Sequence, residues 1–253
     1  MRFKGTAALA AVFIGIVFYY FLIDLPSEQR KQEEKDRAEK VILFDPENVK
    51  AISFIKGEIS IKLKRLGIDE WQMTAPVNAN GDAPAVSAFL SFLNNLNFTR
   101  VVEESPKDLT PFGLDTPDLK IILSMNNGET KGVRVGDDHP MGNKVYLARL
   151  NESRVLAAGV TKNRLDRKVH DLRDKTILDF KTPQITKIEF IRNGKTLSLK
   201  KNEESWEVSE GKITAKGNES EIMNLLNTIR TARIEQFVEE QPEQLAAYGL
   251  NNP

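Results

Sequence analysis

Cysteine is absent from the chain, which excludes disulfide frameworks, thiolate metal sites and cysteine nucleophiles together and fits either side of a membrane. Histidine is nearly absent too, so His139 and His170 are the two imidazoles available for metal ligation or general-base work. Neither sign of charge predominates: Lys plus Arg number 36 and Asp plus Glu number 36, leaving no long-range field to recruit nucleic acid. The phosphate-cradling patterns G-x-x-x-x-G-K-[ST] and G-x-G-x-x-G are missing, which assigns any nucleotide energy source to a partner. No serine occupies a G-x-S-x-G elbow, so neither histidine has a nucleophile of that kind to activate.

Long apolar runs are also scarce, with one exception. From Gly5 to Ile23 no residue is charged, and about 19 residues at about 1.5 Å rise match a hydrocarbon core near 30 Å. A cleaved signal peptide has a shorter apolar region followed by small residues. Here Tyr19, Tyr20, Phe21 and Leu22 stand in that place. The expectation is an uncleaved signal anchor over 5–25 behind a short tail at 1–4. Basic residues flank it on both sides, Arg2 and Lys4 before and Arg30, Lys31 and Lys35 after, so charge alone leaves its orientation open. Residues 26–40 hold no Gly after Pro26, and Glu33–Arg37 and Asp36–Lys40 are spaced as helical ion pairs, predicting a solvated helical stalk.

The remainder repeats itself. Phe54 and Phe190, Val86 and Ile222, Leu90 and Leu226, Val102 and Val238, Leu109 and Leu245, Gly113 and Gly249, and Pro117 and Pro253 are each 136 apart. Trp71 and Trp206 differ by 135, as a one-residue deletion in the preceding turn explains. Each copy opens with alternating apolar residues around a turn, at Gly57 and at Asn193-Gly194, predicting a β-hairpin. Each tryptophan then falls on a third strand, as core. A cap at Asp82 or Asn218 starts an amphipathic helix whose apolar face is Val86, Phe89, Leu90 and Leu93, or Ile222, Leu225, Leu226 and Ile229. Each unit closes on a turn, with Phe112, Gly113, Leu114 and Pro117 in one copy and Tyr248, Gly249, Leu250 and Pro253 in the other. The glycine ends a short helical turn in the left-handed region and the proline prevents its resumption.

Between the copies, Leu119 to Leu123, Val133 with Val135, Val145 with Leu147, and Val155 with Ala157 alternate as four strands of an antiparallel meander. A short helix is expected from Thr161 to Val169. The fold class is therefore α+β: a transmembrane helix, then tandem units of antiparallel hairpin sheet plus one packed helix, linked by the meander. The first unit spans 41–178. The second spans 179–253 and is expected to be incomplete, because copy one continues past its proline.

Candidate chemistry reduces to a few residues. His139 beside Asp137 and Asp138 has the residue types of a zinc or manganese site, but Asp, Pro and Gly between two strands are turn residues for backbone reasons. His170 neighbours Asp171 and Asp174 and lacks a nucleophile. Glu103-Glu104 and Glu239-Glu240 tempt a glycosidase reading, yet adjacent residues on an extended segment point to opposite faces. No catalytic, metal or cofactor residue is assigned.

The tryptophan and glycine-proline pattern, with Trp71 to Pro76, Asp108 to Pro117, Val133 to Gly136, Leu172 to Phe180 and Trp206 through Pro253, resembles a bacterial family known as domain of unknown function 4340. Such proteins are usually encoded beside a gliding-motility-type ABC transporter. The resemblance implies a non-enzymatic accessory or scaffold protein at the inner membrane, single-pass, with an extracytoplasmic domain and ABC transporter subunits as partners. A module binding envelope polysaccharide or peptide is the alternative, and a hydrolase the weaker one.

Overall fold

The computed structural model describes Phe13 and residues 34–35, 37–203 and 205–251. Apart from Phe13, the expected anchor lies outside the described residues, as does most of the stalk; residues 34–35 and 37–38 are helical, and Glu39 N–H donates to Lys35 O at 3.0 Å. Among the described residues no helix is long and apolar enough to cross a membrane.

The fold is α+β with antiparallel sheets, and the chain divides into two compact units, Met1–Arg173 and Asp174–Pro253. The dividing point precedes Lys175 because that residue's carbonyl accepts from Ile234 N–H at 2.8 Å and Thr176 bridges Arg233, tying the connector to the second unit.

In unit one the strands are β1 (Val49–Lys56), β2 (Ile59–Gly67), β3 (Glu70–Ala75) and β4 (Ala79–Asn80), followed by helix α1 (Ala83–Asn94) and then β5 (Phe98–Glu103). The meander follows as β6 (Leu119–Met125), β7 (Thr130–Asp138), β8 (Val145–Arg149) and β9 (Val155–Ala158), with short helices α2 (Lys162–Leu165) and α3 (Val169–Leu172). All nine strands form one sheet in the order β4-β3-β2-β1-β6-β7-β8-β9-β5. The meander is thus no linker: β6 pairs antiparallel with β1, Leu123 opposite Ile52 and Ile121 opposite Phe54. The helix expected over Thr161–Val169 is two helices, because Asp166 at φ −73°, ψ 120° is extended and breaks the first.

Alternation of the strand side chains puts Ile52, Phe54, Ile61 and Leu63 on the face that α1 covers with Val86, Phe89, Leu90 and Leu93. The Phe54 and Phe89 rings sit 5.0 Å apart. Asp82 caps α1 by accepting from Ala85 N–H at 3.0 Å. β9 is buried at every residue, with Leu156 and Ala158 in this core and Val155 in a smaller cluster with Leu114 and Ala148.

Unit two runs β10 (Lys187–Arg192), β11 (Lys195–Asn202), β12 (Ser205–Glu210), β13 (Ile213–Lys216) and helix α4 (Glu219–Thr231), its sheet ordered β10-β11-β12-β13. The register repeats that of unit one. Ile188 faces Leu199 and Phe190 faces Leu197, as Ile52 faces Leu63 and Phe54 faces Ile61, each 136 residues earlier. One-turn 3-10 helices, Pro46–Asn48 and Thr182–Gln184, precede the first strand of each series. Asn218 caps α4 through Glu221 N–H at 3.4 Å. Leu199, Trp206, Ile222 and Leu226 form the buried core.

Candidate functional site

Trp71 on β3 and Trp206 on β12 are buried, 2% and 3% exposed. Behind each lies a glycine that the sequence reading passed over although it keeps the 136-residue offset. Gly81 N–H donates to Trp71 O and Gly217 N–H to Trp206 O, both at 2.7 Å. A Cβ at either glycine would stand 3.0 or 2.9 Å from the tryptophan Cβ, so only glycine lets the chain pass this close before the helix begins. Both indole Nε1 atoms are buried without a hydrogen-bond partner among the described residues. In unit one the Arg65 guanidinium lies 4.6 Å from the Trp71 ring centroid, while its nitrogens donate to the carbonyls of Val49, Pro46 and Ile68. Each tryptophan is a core residue and offers no stacking face to a ligand.

The glycine turn is seated in unit one. Thr110–Phe112 forms one 3-10 turn, Gly113 follows at φ 64°, and Leu114 N–H returns to Leu109 O at 3.2 Å. Leu114 is fully buried against Ala148 and Val155, and the Phe112 ring meets the edge of Tyr146 at 5.2 Å. Three residues of β7 hold it. Arg134 Nη1 donates to Leu114 O at 3.2 Å, and the Asp137 carboxylate lies where a Gly113 side chain would project. At Gly136 a Cβ would stand 2.1 Å from Phe112 O, so the strand itself must be glycine for the turn to dock. Pro117 leads into Asp118, whose carboxylate is paired at 2.7 Å with Lys162 and is held below the usual carboxylate range chiefly by that hydrogen bond.

The same turn in unit two has the same backbone. Leu245–Tyr248 is a 3-10 turn, Gly249 has φ 69°, and Leu250 N–H returns to Leu245 O at 3.0 Å. Its surroundings differ. Leu245, Tyr248 and Leu250 are 47%, 43% and 54% exposed, and among the described residues nothing lies within 4 Å of where a Gly249 side chain would project. The Tyr248 hydroxyl donates to Glu239, which raises the phenol above its ordinary range. Pro253 lies outside the described residues.

The polar candidates do not converge. His139 is buried at the β7–β8 turn, where its Nδ1 accepts from Met141 N–H at 3.1 Å and its Nε2 lies 3.3 Å from Arg100 Nη2. With Nδ1 accepting, a neutral ring carries its proton on Nε2, so no ring lone pair is left for a metal. Asp137 turns toward Gly113, and Asp138 accepts from Lys162 N–H at 3.1 Å. The run that resembled a metal site thus sends its three side chains to three places, and among the described residues no three His, Cys, Asp or Glu side chains group to hold a metal. His170 is exposed on α3. Glu103 ends β5, and Glu104 pairs with Arg154 at 2.7 Å. A groove of about 990 Å³ in unit one is lined by Asp45, Glu47, Arg65 and Asp69 among others, but Arg65 is already spent on backbone carbonyls.

The family described as domain of unknown function 4340 matches residues 71–253, from the first tryptophan through the second glycine turn. No curated protein and no solved structure matches the chain.

Proposed function

Since this chain belongs to the family described as domain of unknown function 4340, we propose that it works by contact: a non-enzymatic accessory or scaffold subunit of an ABC transporter complex, tethered to the bacterial inner membrane with its repeat units outside the cytoplasm. The observation that carries this reading is the use made of the repeated residues. Trp71 and Trp206 fill cores, Gly81 and Gly217 permit close backbone passage, and Gly113 and Gly249 set a turn. What the sequence duplicates is a shape. Tethering raises the effective concentration of membrane neighbours, so a weak interface suffices.

The test is affinity purification of the full chain from membranes in mild detergent, with the retained subunits identified by mass spectrometry. Transporter subunits are expected, with reduced yield when residues 27–40 are deleted and the circular dichroism spectrum is unchanged. Recovery of no membrane subunit, together with retention on envelope polysaccharide or peptide, overturns the reading in favour of an envelope-binding module.

A further inference from the structure

The two copies differ by one residue in the turn before each tryptophan, and the extra residue of unit one has a structural use. There Arg65 faces Trp71 and Gly67 faces Glu70, which leaves Leu66 over as a β-bulge. In unit two Lys201 faces Trp206 and Asn202 faces Ser205, with nothing left over. A bulge re-aims the side chains beside it. Here the lengthened turn carries Leu66 and Ile68 outward, 51% and 87% exposed, whereas Asn202 to Ser205 includes no apolar residue. The turn is also clamped. Arg65 Nη1 donates to Ile68 O at 3.2 Å and Nη2 to Pro46 O at 2.8 Å, so one guanidinium ties the β2–β3 turn to the 3-10 turn at Pro46–Asn48. Unit two has Lys201 in its place, and an ammonium lacks the planar fork for this.

Between these two turns and α1 runs the groove of about 990 Å³, with Ser87, Leu90 and Ser91 on its helix side. α1 carries no charged residue, whereas α4 carries Glu219, Glu221 and Arg230. At the place of Ser87 unit two has Met223, which packs partly buried on its core. The small side chain of unit one leaves that space open. The rim is acidic: Asp45, Glu47 and Asp69 line it against Lys50 and Arg65, and the donors of Arg65 are turned to carbonyls. Glu47 and Asp69 are exposed and pair with no cation among the described residues.

We propose that this groove seats a short segment of a partner polypeptide, which presents an apolar side chain between Ile68 and Ser87 and lysine or arginine to Glu47 and Asp69. Complementary charge sets which partner is admitted, and a groove already held open by Arg65 loses little freedom on binding. An anionic membrane surface is the wrong chemistry, because it would repel the same two carboxylates. This inference rests on the reading that the chain works by contact, and it locates the contact in unit one.

The probe is a photo-crosslinking side chain in the full protein in living cells, Ile68→benzoylphenylalanine, with the crosslinked segment sequenced by mass spectrometry. The expected product is one polypeptide segment in which an apolar residue is flanked by lysine or arginine, while Asn202→benzoylphenylalanine at the other turn gives no such product. Adding Glu47→Lys and Asp69→Lys is expected to cut the yield about tenfold or more. Ser87→Met, which gives unit one the side chain of unit two, should do the same. All three positions are exposed, so the circular dichroism spectrum should not change. Raised salt should lower the yield with no further substitution, as screening weakens exposed charge pairs. No crosslink at position 68, a segment without basic residues, or a yield indifferent to charge reversal overturns the proposal. A phospholipid adduct overturns it in favour of a membrane surface, and a crosslink to another copy of this chain in favour of self-association. A basic segment from a protein that is no transporter subunit would retain the groove and discard the transporter; transporter subunits recovered without a crosslink at position 68 would do the reverse.

Discussion

Phe54 and Phe190 occupy the same register position in the same hairpin, and Leu114 and Leu250 occupy the same place in the same turn. In unit one all four strands of the meander stand alongside, and Phe54 and Leu114 are 2% and 0% exposed. In unit two, where no such strands are described, Phe190 and Leu250 are 39% and 54% exposed. The difference separates what local sequence specifies from what neighbours supply. Hairpin register, helix cap and the left-handed glycine form in both units, so they follow from a short stretch of chain. Burial of the same side chains follows from the added strands of the same sheet, and at about 25 cal/mol per Å² of apolar surface those strands are what stabilise the turn of unit one.

The largest effects should come from the shared core. Trp71→Ala is expected to cost about 3–5 kcal/mol, as is Trp206→Ala, since each removes a buried aromatic. Urea dependence of amide exchange within the mutated unit measures each cost, and the remaining tryptophan, which lies in the other unit, serves as the control. A Trp206→Ala loss that also destabilises the amides of β6–β9 would show that the two units do not fold as separate bodies.

Next come substitutions that should split the pair. Leu114→Ala is expected to cost about 2–5 kcal/mol because its side chain is enclosed, while Leu250→Ala should stay within about 0.5 kcal/mol, as surface changes do. Equal costs would erase the contrast between a seated and an unseated turn. Gly136→Ala should cost about 1–3 kcal/mol, as overpacking does, because the new Cβ meets Phe112 O. That loss should appear as faster exchange at Leu114 N–H.

The smallest expected effect is electrostatic. Asp118 titrates lower in the folded protein because Lys162 donates to it, so the pair stabilises unit one above the unfolded carboxyl value of about 3.9. That contribution shrinks as pH falls through the unfolded value and is gone below the folded one. With the Asp118 side chain 67% exposed, its worth is that of a surface pair, about 0.2–1 kcal/mol. Lys162→Met should lower stability at pH 7 by that amount and leave stability at pH 2 unchanged.

Much of this was legible in the sequence. The constant offset located both hairpins, both tryptophan strands and both helices, since alternation and helical spacing are local signals. Periodicity also found the four meander strands but not their place in the sheet: pairing of β6 with β1 joins residues about 70 apart, and no local pattern encodes it. β4 escaped notice because two residues are too short to alternate, and β5 because its burial does not alternate; β13, as long as β9, offered Ile213 and Ala215 two apart and was passed over. Gly81 and Gly217 carried a readable signal, the same offset as the rest, and Gly136 did not, since its role depends on a turn more than 20 residues earlier.

The most direct measurement compares amides at equivalent outward positions. Ser53 and Ile55 on β1 should be strongly protected from exchange by β6, and in a polypeptide of residues 1–253 Glu189 and Ile191 on β10 should exchange at rates near those of unstructured peptide while Ile188 and Phe190 remain protected by β11. Equal protection of Ser53, Ile55, Glu189 and Ile191 in that polypeptide would contradict the distinction drawn between the two units.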